Sequence, residues 1–243
     1  MENTLKNGGV VGGLYVLGVA PMVPFLLIGL FVALFIVLAI LGHLQEKKRR
    51  QAFLALARRL GLRYRDRDKT MDDRYHFLNP LCQGENRYAF NILEGKYRDY
   101  PVQAFDYHYE THSTDSKGRR QTHHHYFSYF ILEQEVSFPE LRIYPETWLS
   151  KLGQMIGFDD IDFESAEFSR SFTVRSKDKR FAYDICNARL MEYLLQHRDL
   201  SIELENRCVA VSFPNRLEPP EVERNLDRLI EIRTMFPEYL YKT

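Results

Sequence analysis

The residues with the clearest capacity for chemistry are histidines. Asp106, His108, Glu110 and His112 alternate along one segment, and His123, His124 and His125 follow on the next. Suppose both segments are antiparallel strands, with Phe105, Tyr107 and Tyr109 facing a core. The register that pairs these three with Tyr129, Phe127 and His125 then keeps one face mostly apolar. The opposite face carries His108, Glu110, His112 and His124, with cross-strand neighbours about 5 Å apart. Two or three imidazoles and a carboxylate can hold Zn²⁺ at about 2.0–2.2 Å. A one-residue slip disperses the set, because successive side chains point to opposite faces. The competing reading is the polar outer face of a hairpin, and it is the expectation adopted here. His108, His112 and His124 should lie exposed near a mobile tip at residues 113–120, with no obligatory metal and no cofactor.

Other chemistries find less support. Asp159, Asp160, Asp162 and Glu164 would place Asp160, Asp162 and Glu164 on one strand face opposite Ile161 and Phe163. Hard cations take oxygen clusters, but no glycine-containing loop of EF-hand spacing is present, so a half-buried strand is expected. The run GGVVGG at residues 8–13 follows no strand and is set aside as a phosphate loop. No Walker A, nucleophile-elbow or H-E-x-x-H pattern occurs. Cys82, Cys186 and Cys208 are odd in number and scattered, as for buried reduced thiols and not a disulfide framework. No catalytic residue is assigned.

These side chains need elements to position them. Period-two alternation rich in Tyr, Phe, Val and Ile predicts strands over residues 86–93, 98–111 and 122–132, with turns at Gly95-Lys96 and at 113–120. Pro139 and Pro145 should bracket a short strand, 140–144, followed by a helix over 146–156. A strand over 171–175 precedes a helix over 180–196. Residues 201–205 and 208–213 read as a hairpin turning at Asn206-Arg207. Pro219-Pro220 opens a final helix in which Val222, Leu226, Leu229, Ile230 and Ile232 recur at helical spacing.

The remaining part of the chain decides location. The 243 residues carry 33 basic and 33 acidic groups, yet the balance is uneven. Residues 1–44 hold only Glu2 and Lys6; residues 45–65 hold eight basic groups against Glu46; the rest carries a net charge of −7. Residues 23–42 are almost entirely apolar, and about 20 such residues match a hydrocarbon core of about 30 Å. Residues 8–20 are glycine-rich and too few to cross, and Pro21 and Pro24 should interrupt any helix, which favours one span over a two-span hairpin. The basic collar follows the span, placing the body on the cytoplasmic side and the N-terminus outside. Phe53, Leu56, Ala57 and Leu60 make the collar itself helical, with Gly61 as its cap.

The expected class is therefore α+β: an N-terminal transmembrane helix followed by a cytoplasmic domain with an antiparallel sheet and flanking helices. Residues 1–44 form the anchor, 45–65 a basic juxtamembrane helix, and 66–243 an independently folded domain. Lys47, Lys48, Arg49, Arg50, Arg58 and Arg59 are the candidate membrane-surface residues, near anionic headgroups. The acidic body is no nucleic-acid binder.

The collar LARRLGLRY (residues 56–64), the strand VQAFDYHY (102–109), the block FPELRIYPE (138–146) and the stretch DIDFESAEFSRSFTVRSKD (160–178) together resemble a family of bacterial membrane-anchored proteins of unknown function. The resemblance covers about residues 50–213. It rests on apolar anchors and prolines, so it implies a shared fold and no particular activity. The expected function is a non-catalytic interaction or scaffold domain at the inner or plasma membrane. Its partners would be membrane lipids and a protein. The alternatives are a lipid-headgroup or metal-binding module, or an enzyme whose groups only the fold assembles.

Overall fold

The computed structural model describes residues 22–149 and 160–242. Helix α1 (Met22–Leu60) contains a stretch, Leu27–Leu60, that is long and apolar enough to cross a membrane, the only one of its kind among the described residues. Pro24 lies within it and does not interrupt the described helix. Pro21 and the glycine-rich segment before it lie outside the described residues. α1 ends as its sequence suggests. Gly61 takes φ +69°, and the Leu62 N–H returns to the Ala57 carbonyl at 2.8 Å, the Schellman pattern.

Two compact units divide the chain, Met1–Lys48 and Arg49–Thr243. The folded unit thus begins earlier than residue 66. Phe53, Leu56 and Ala57 are buried in its main core beside Leu93, Ala104 and Phe130, so the foot of α1 belongs to the domain's interior. Residues 63–65 likewise belong to the sheet, in β1 (Arg63–Asp68).

The sheet is antiparallel, and β4 organises it. β2 (Glu85–Tyr97), β3 (Tyr100–Thr114) and β4 (Arg120–Pro145) follow β1 in order; β5 (Phe172–Ser176) pairs the far end of β4, and β6 (Ser201–Phe213) pairs its other edge. At 26 residues, β4 is long enough to hold β3 along its first half and β5 along its last five residues. Pro139 therefore does not separate two strands. It sits in an interrupted stretch, where the register against β6 shifts on either side of Phe138 and a missing N–H breaks no regular ladder.

The expected hairpin at residues 201–213 is one strand. Both halves pair with β4 in succession, and Asn206, at φ +54°, is the irregular position opposite Phe138. The β2–β3 turn is Arg98-Asp99, not Gly95-Lys96. Both residues take positive φ (45° and 73°), the two-residue turn whose twist suits a hairpin.

Short helices complete the unit. α2 (Met71–Arg74) and a 3₁₀ turn (Asn79–Cys82) precede β2, and α3 (Glu146–Leu149) begins where the longer helix was expected, the remainder of which lies outside the described residues. Residues 161–164 form coil and not a strand, with only an isolated bridge between Asp160 and Arg175. α4 (Ala166–Ser171) follows, capped by Ser165. The helix expected over 180–196 is two helices, α5 (Lys179–Ile185) and α6 (Ala188–Gln196). Asn187 makes the break: its Oδ1 accepts from Leu190 N at 3.1 Å and its Nδ2 donates to the Met235 carbonyl at 2.9 Å. α7 (Pro219–Thr234) buries Val222, Leu226, Leu229 and Ile232, and a 3₁₀ turn (Glu238–Tyr241) follows it.

Two large apolar clusters result among the described residues, with a small third of Tyr144 and Trp148. Of the large ones, one lies beneath α1, α6 and α7; the other joins Phe105, Tyr107, Tyr109, Phe127 and Tyr129 to Met71, Tyr75, Leu78 and Leu81.

Candidate functional site

The β3–β4 register pairs Phe105 with Tyr129, Tyr107 with Phe127 and Tyr109 with His125. The pleat then separates the histidine run. His125 stacks on Tyr109 with centroids 4.6 Å apart, and His123 Nε2 meets Ser113 Oγ at 2.7 Å. His124 points the other way, beside its cross-strand partner Glu110 and near His108.

That second group converges. His108 Nε2 lies 3.0 Å from His124 Nδ1 and 3.9 Å from Glu110 Oε1, and His124 Nδ1 lies 3.3 Å from the same oxygen. His112 does not join them; its Nδ1 meets Thr122 Oγ1 at 3.1 Å and its Nε2 lies 3.5 Å from Glu85. Nor does Asp106, which turns toward the body of the domain. The expectation of an exposed histidine face holds for His124, whose side chain is 53% exposed, and fails for His108, at 2%. His108 is sealed between the rings of Tyr88 (centroids 4.5 Å apart) and Tyr126 (4.9 Å). Burial lowers its pKa, favouring the neutral imidazole.

Sequence reasoning missed Asn86. Its carbonyl oxygen is 3.2 Å from His108 Nδ1 and its Nδ2 donates to Glu110 Oε1 at 2.8 Å, so one residue holds two members of the group. Asn86 takes φ +48° at the irregular start of β2, a conformation asparagine tolerates well. Gly84 brings the chain there. A Cβ at this position would stand 2.3 Å from the Glu110 carbonyl oxygen. The Gly-x-Asn spacing at the head of a strand was the available signal. The tip is also shorter than expected: Asp115 accepts from the Lys117 and Arg119 backbone N–H groups, closing a tight turn.

Asp106 is fully buried one step along the same face. It accepts from Asn91 Nδ2 at 2.8 Å and Leu217 N at 2.5 Å, with Arg49 at 3.6 Å and Arg216 at 3.9 Å. Burial pushes its pKa up to about 6 despite these partners. The collar's other charges are also engaged within the domain: Arg49 with Glu218 at 3.1 Å, Arg50 with Asp66 at 3.5 Å and Arg59 with Glu223 at 2.6 Å.

The remaining candidates recede. Cys186 and Cys208 are buried, whereas Cys82 is exposed, against expectation. Burial raises the pKa of Cys186 and of Cys208, the latter to about 12, and partial desolvation of the sulfur raises that of Cys82, which disfavours a thiolate nucleophile. Asp160 pairs with Arg175 at 2.7 Å, so with residues 161–164 in coil no oxygen-lined strand face forms; Asp159 lies outside the described residues. An open groove of about 530 Å³ is lined by Tyr100, Gln134, Arg207, Arg233 and Tyr241, together with acidic residues. Arg233 sits over the rings of Tyr100 and Tyr241, at 5.1 and 4.1 Å, which reads as packing more than as a reaction centre.

Comparison with known protein families finds none that matches, and no curated protein matches either. Among solved structures, the chain is similar to the mycobacterial trehalose monomycolate transport factor A, TtfA, at 13% sequence identity and a TM-score of 0.52. The match covers 78% of this chain and 95% of that one. At this identity the likeness is one of fold. The expected resemblance to a bacterial family is thus met by a mycobacterial transport factor at the level of fold, and by no family match.

Proposed function

We propose that the chain is a single-pass inner-membrane protein whose folded unit, Arg49–Thr243, is cytoplasmic and acts as a non-catalytic accessory or scaffold domain for a membrane transport process. The observation that carries this reading is the fold shared with almost the whole length of a transport factor, taken with one helix able to span a membrane. Membrane lipids are its partners through that helix, with Lys47, Lys48 and Arg58 at the surface. Arg49, Arg50 and Arg59, by contrast, serve ion pairs of the domain. Its other partner is a membrane-embedded transport protein; nucleic acid is not one, because the body is acidic.

Two measurements test the reading. A reporter fused after Thr243 should be active only in the cytoplasm, since basic residues flanking a span resist translocation; activity outside the membrane overturns the orientation. Purification from native membranes in mild detergent should retain a multi-span transport protein in stoichiometric amount. Recovery of the chain alone, under conditions that preserve known membrane complexes, overturns the accessory role.

A further inference from the structure

We propose that His108 Nε2, His124 Nδ1 and a Glu110 carboxylate oxygen form a three-ligand site for Zn²⁺ or a neighbouring first-row divalent ion, with a fourth position open to water. The spacing is the first argument. The three atoms form a triangle with sides of 3.0, 3.3 and 3.9 Å. The point equidistant from all three lies about 2.0 Å from each, within the range of zinc–nitrogen and zinc–oxygen bonds. No side chain has to move far for an ion to enter.

The tautomers are the second argument. A backbone carbonyl can only accept, so the contact between His108 Nδ1 and the Asn86 oxygen at 3.2 Å places the proton on Nδ1. Nε2 then presents a bare lone pair to the centre of the triangle. His124 can supply Nδ1 as a ligand by carrying its proton on Nε2, so binding needs a tautomer change in that ring. Glu110 is an anionic ligand that partly neutralises the ion.

The surroundings are the third. Metal-ligating imidazoles are usually oriented by a hydrogen bond from the other ring nitrogen, and ligating carboxylates by a donor of their own. Asn86 supplies both, through its carbonyl to His108 and its Nδ2 to Glu110. It is a positioning residue. Tyr88 and Tyr126 wall the His108 ring, while the exposure of His124 leaves one side of the triangle to solvent. The site ties β2 to the β3–β4 hairpin through groups from all three strands. Two histidines and a glutamate with an open position is a donor set that suits zinc, and copper or nickel by the general order of affinities.

The test uses the full chain in detergent, purified without a polyhistidine tag and stripped with chelator. Titration with Zn²⁺ should show one ion per chain and raise the melting temperature. Co²⁺ should give the intense visible bands of a four-coordinate site. His124→Ala, at an exposed ring, and the isosteric Glu110→Gln should each weaken binding about tenfold or more, as should His108→Ala if it folds. The double variant His112→Ala/His123→Ala should bind as the parent does. The proposal is overturned if titration shows no binding beyond a histidine-free control, if His124→Ala and Glu110→Gln leave binding unchanged, or if the double variant abolishes it. The last result would assign the ion to the exposed tip.

Discussion

The two faces of the β3–β4 ladder are built from alternate residues of the same two strands, yet they are stabilised differently. On one face Phe105, Tyr107, Phe127 and Tyr129 are closed over by Met71, Tyr75, Leu78 and Leu81. Its buried hydroxyls find partners at the cluster's edges: Tyr107 donates to the Leu81 carbonyl at 2.6 Å and Tyr129 to the Glu203 carboxylate. This face is held by area and shape. On the other face Asp106, His108 and Ser128 are just as buried; the rings of Tyr88 and Tyr126 wall His108, but the groups that hold Asp106 and His108 in place are polar: Asn91, Asn86, Arg49 and backbone groups. That face is held by the satisfaction of hydrogen bonds. The closed face should therefore be sensitive to lost volume, and the open face to charge state, pH and ions.

The largest expected effect is on the closed face. Phe105→Ala removes a fully buried ring stacked on Tyr129 at 5.8 Å and should cost about 3–5 kcal/mol of stability, measured by denaturant titration of the full chain in detergent. A loss below about 1 kcal/mol would mean that the strap at residues 71–82 does not seal that core.

On the open face, Asp106→Ala should cost about 1–3 kcal/mol, because Asn91 Nδ2 and the Leu217 N–H lose their buried acceptor. Asp106→Asn separates charge from shape. The Asp106 pKa is raised from 3.8 to about 6, so between these values the folded state binds the proton more tightly than the unfolded chain. The stability from this linkage is complete below about pH 4 and is lost as pH rises to about 6. Melting curves of Asp106→Asn should be flatter across that window than those of the parent. Equal slopes would show that Asp106 keeps an ordinary pKa, and that the Arg49 and Arg216 charges outweigh burial.

The smallest effects belong to the outer end of the open face. Without metal, His124→Ala and His112→Ala should each change stability by no more than about 0.5 kcal/mol, since both rings reach solvent. A larger loss in metal-free protein would mean that the contact between His108 and His124 is itself structural, and would blur the contrast between the two ends of that face.

The β3–β4 register was legible because aromatic residues alternate with polar ones over many positions, so any slip would bury the wrong set. The long apolar helix, the Gly61 cap and the final helix were legible because each pattern is local. The segmentation of β4 and β6 was not. Pro139 and Asn206 look like strand breakers in isolation, and only the pairing of both strands across one irregular stretch turns them into bulge positions. The helical periodicity of the collar is legible, and the apolar helix runs on into it, but its charges dominate its composition, whereas Phe53, Leu56 and Ala57 decide where it packs.

For the candidate site, residue types and alternation alone put His108, Glu110 and His124 on one face, since strand pleating follows from covalent geometry. Burial, tautomer and distance came from elsewhere in the chain. Asn86 reaches the cluster from β2 because Gly84 admits a close backbone approach and Asn86 itself adopts positive φ. His112, two residues along the same strand, is left outside the cluster. A local pattern sets which direction a side chain faces; which groups then meet, and how dry they become, depends on contacts between distant segments that a single stretch of sequence does not contain.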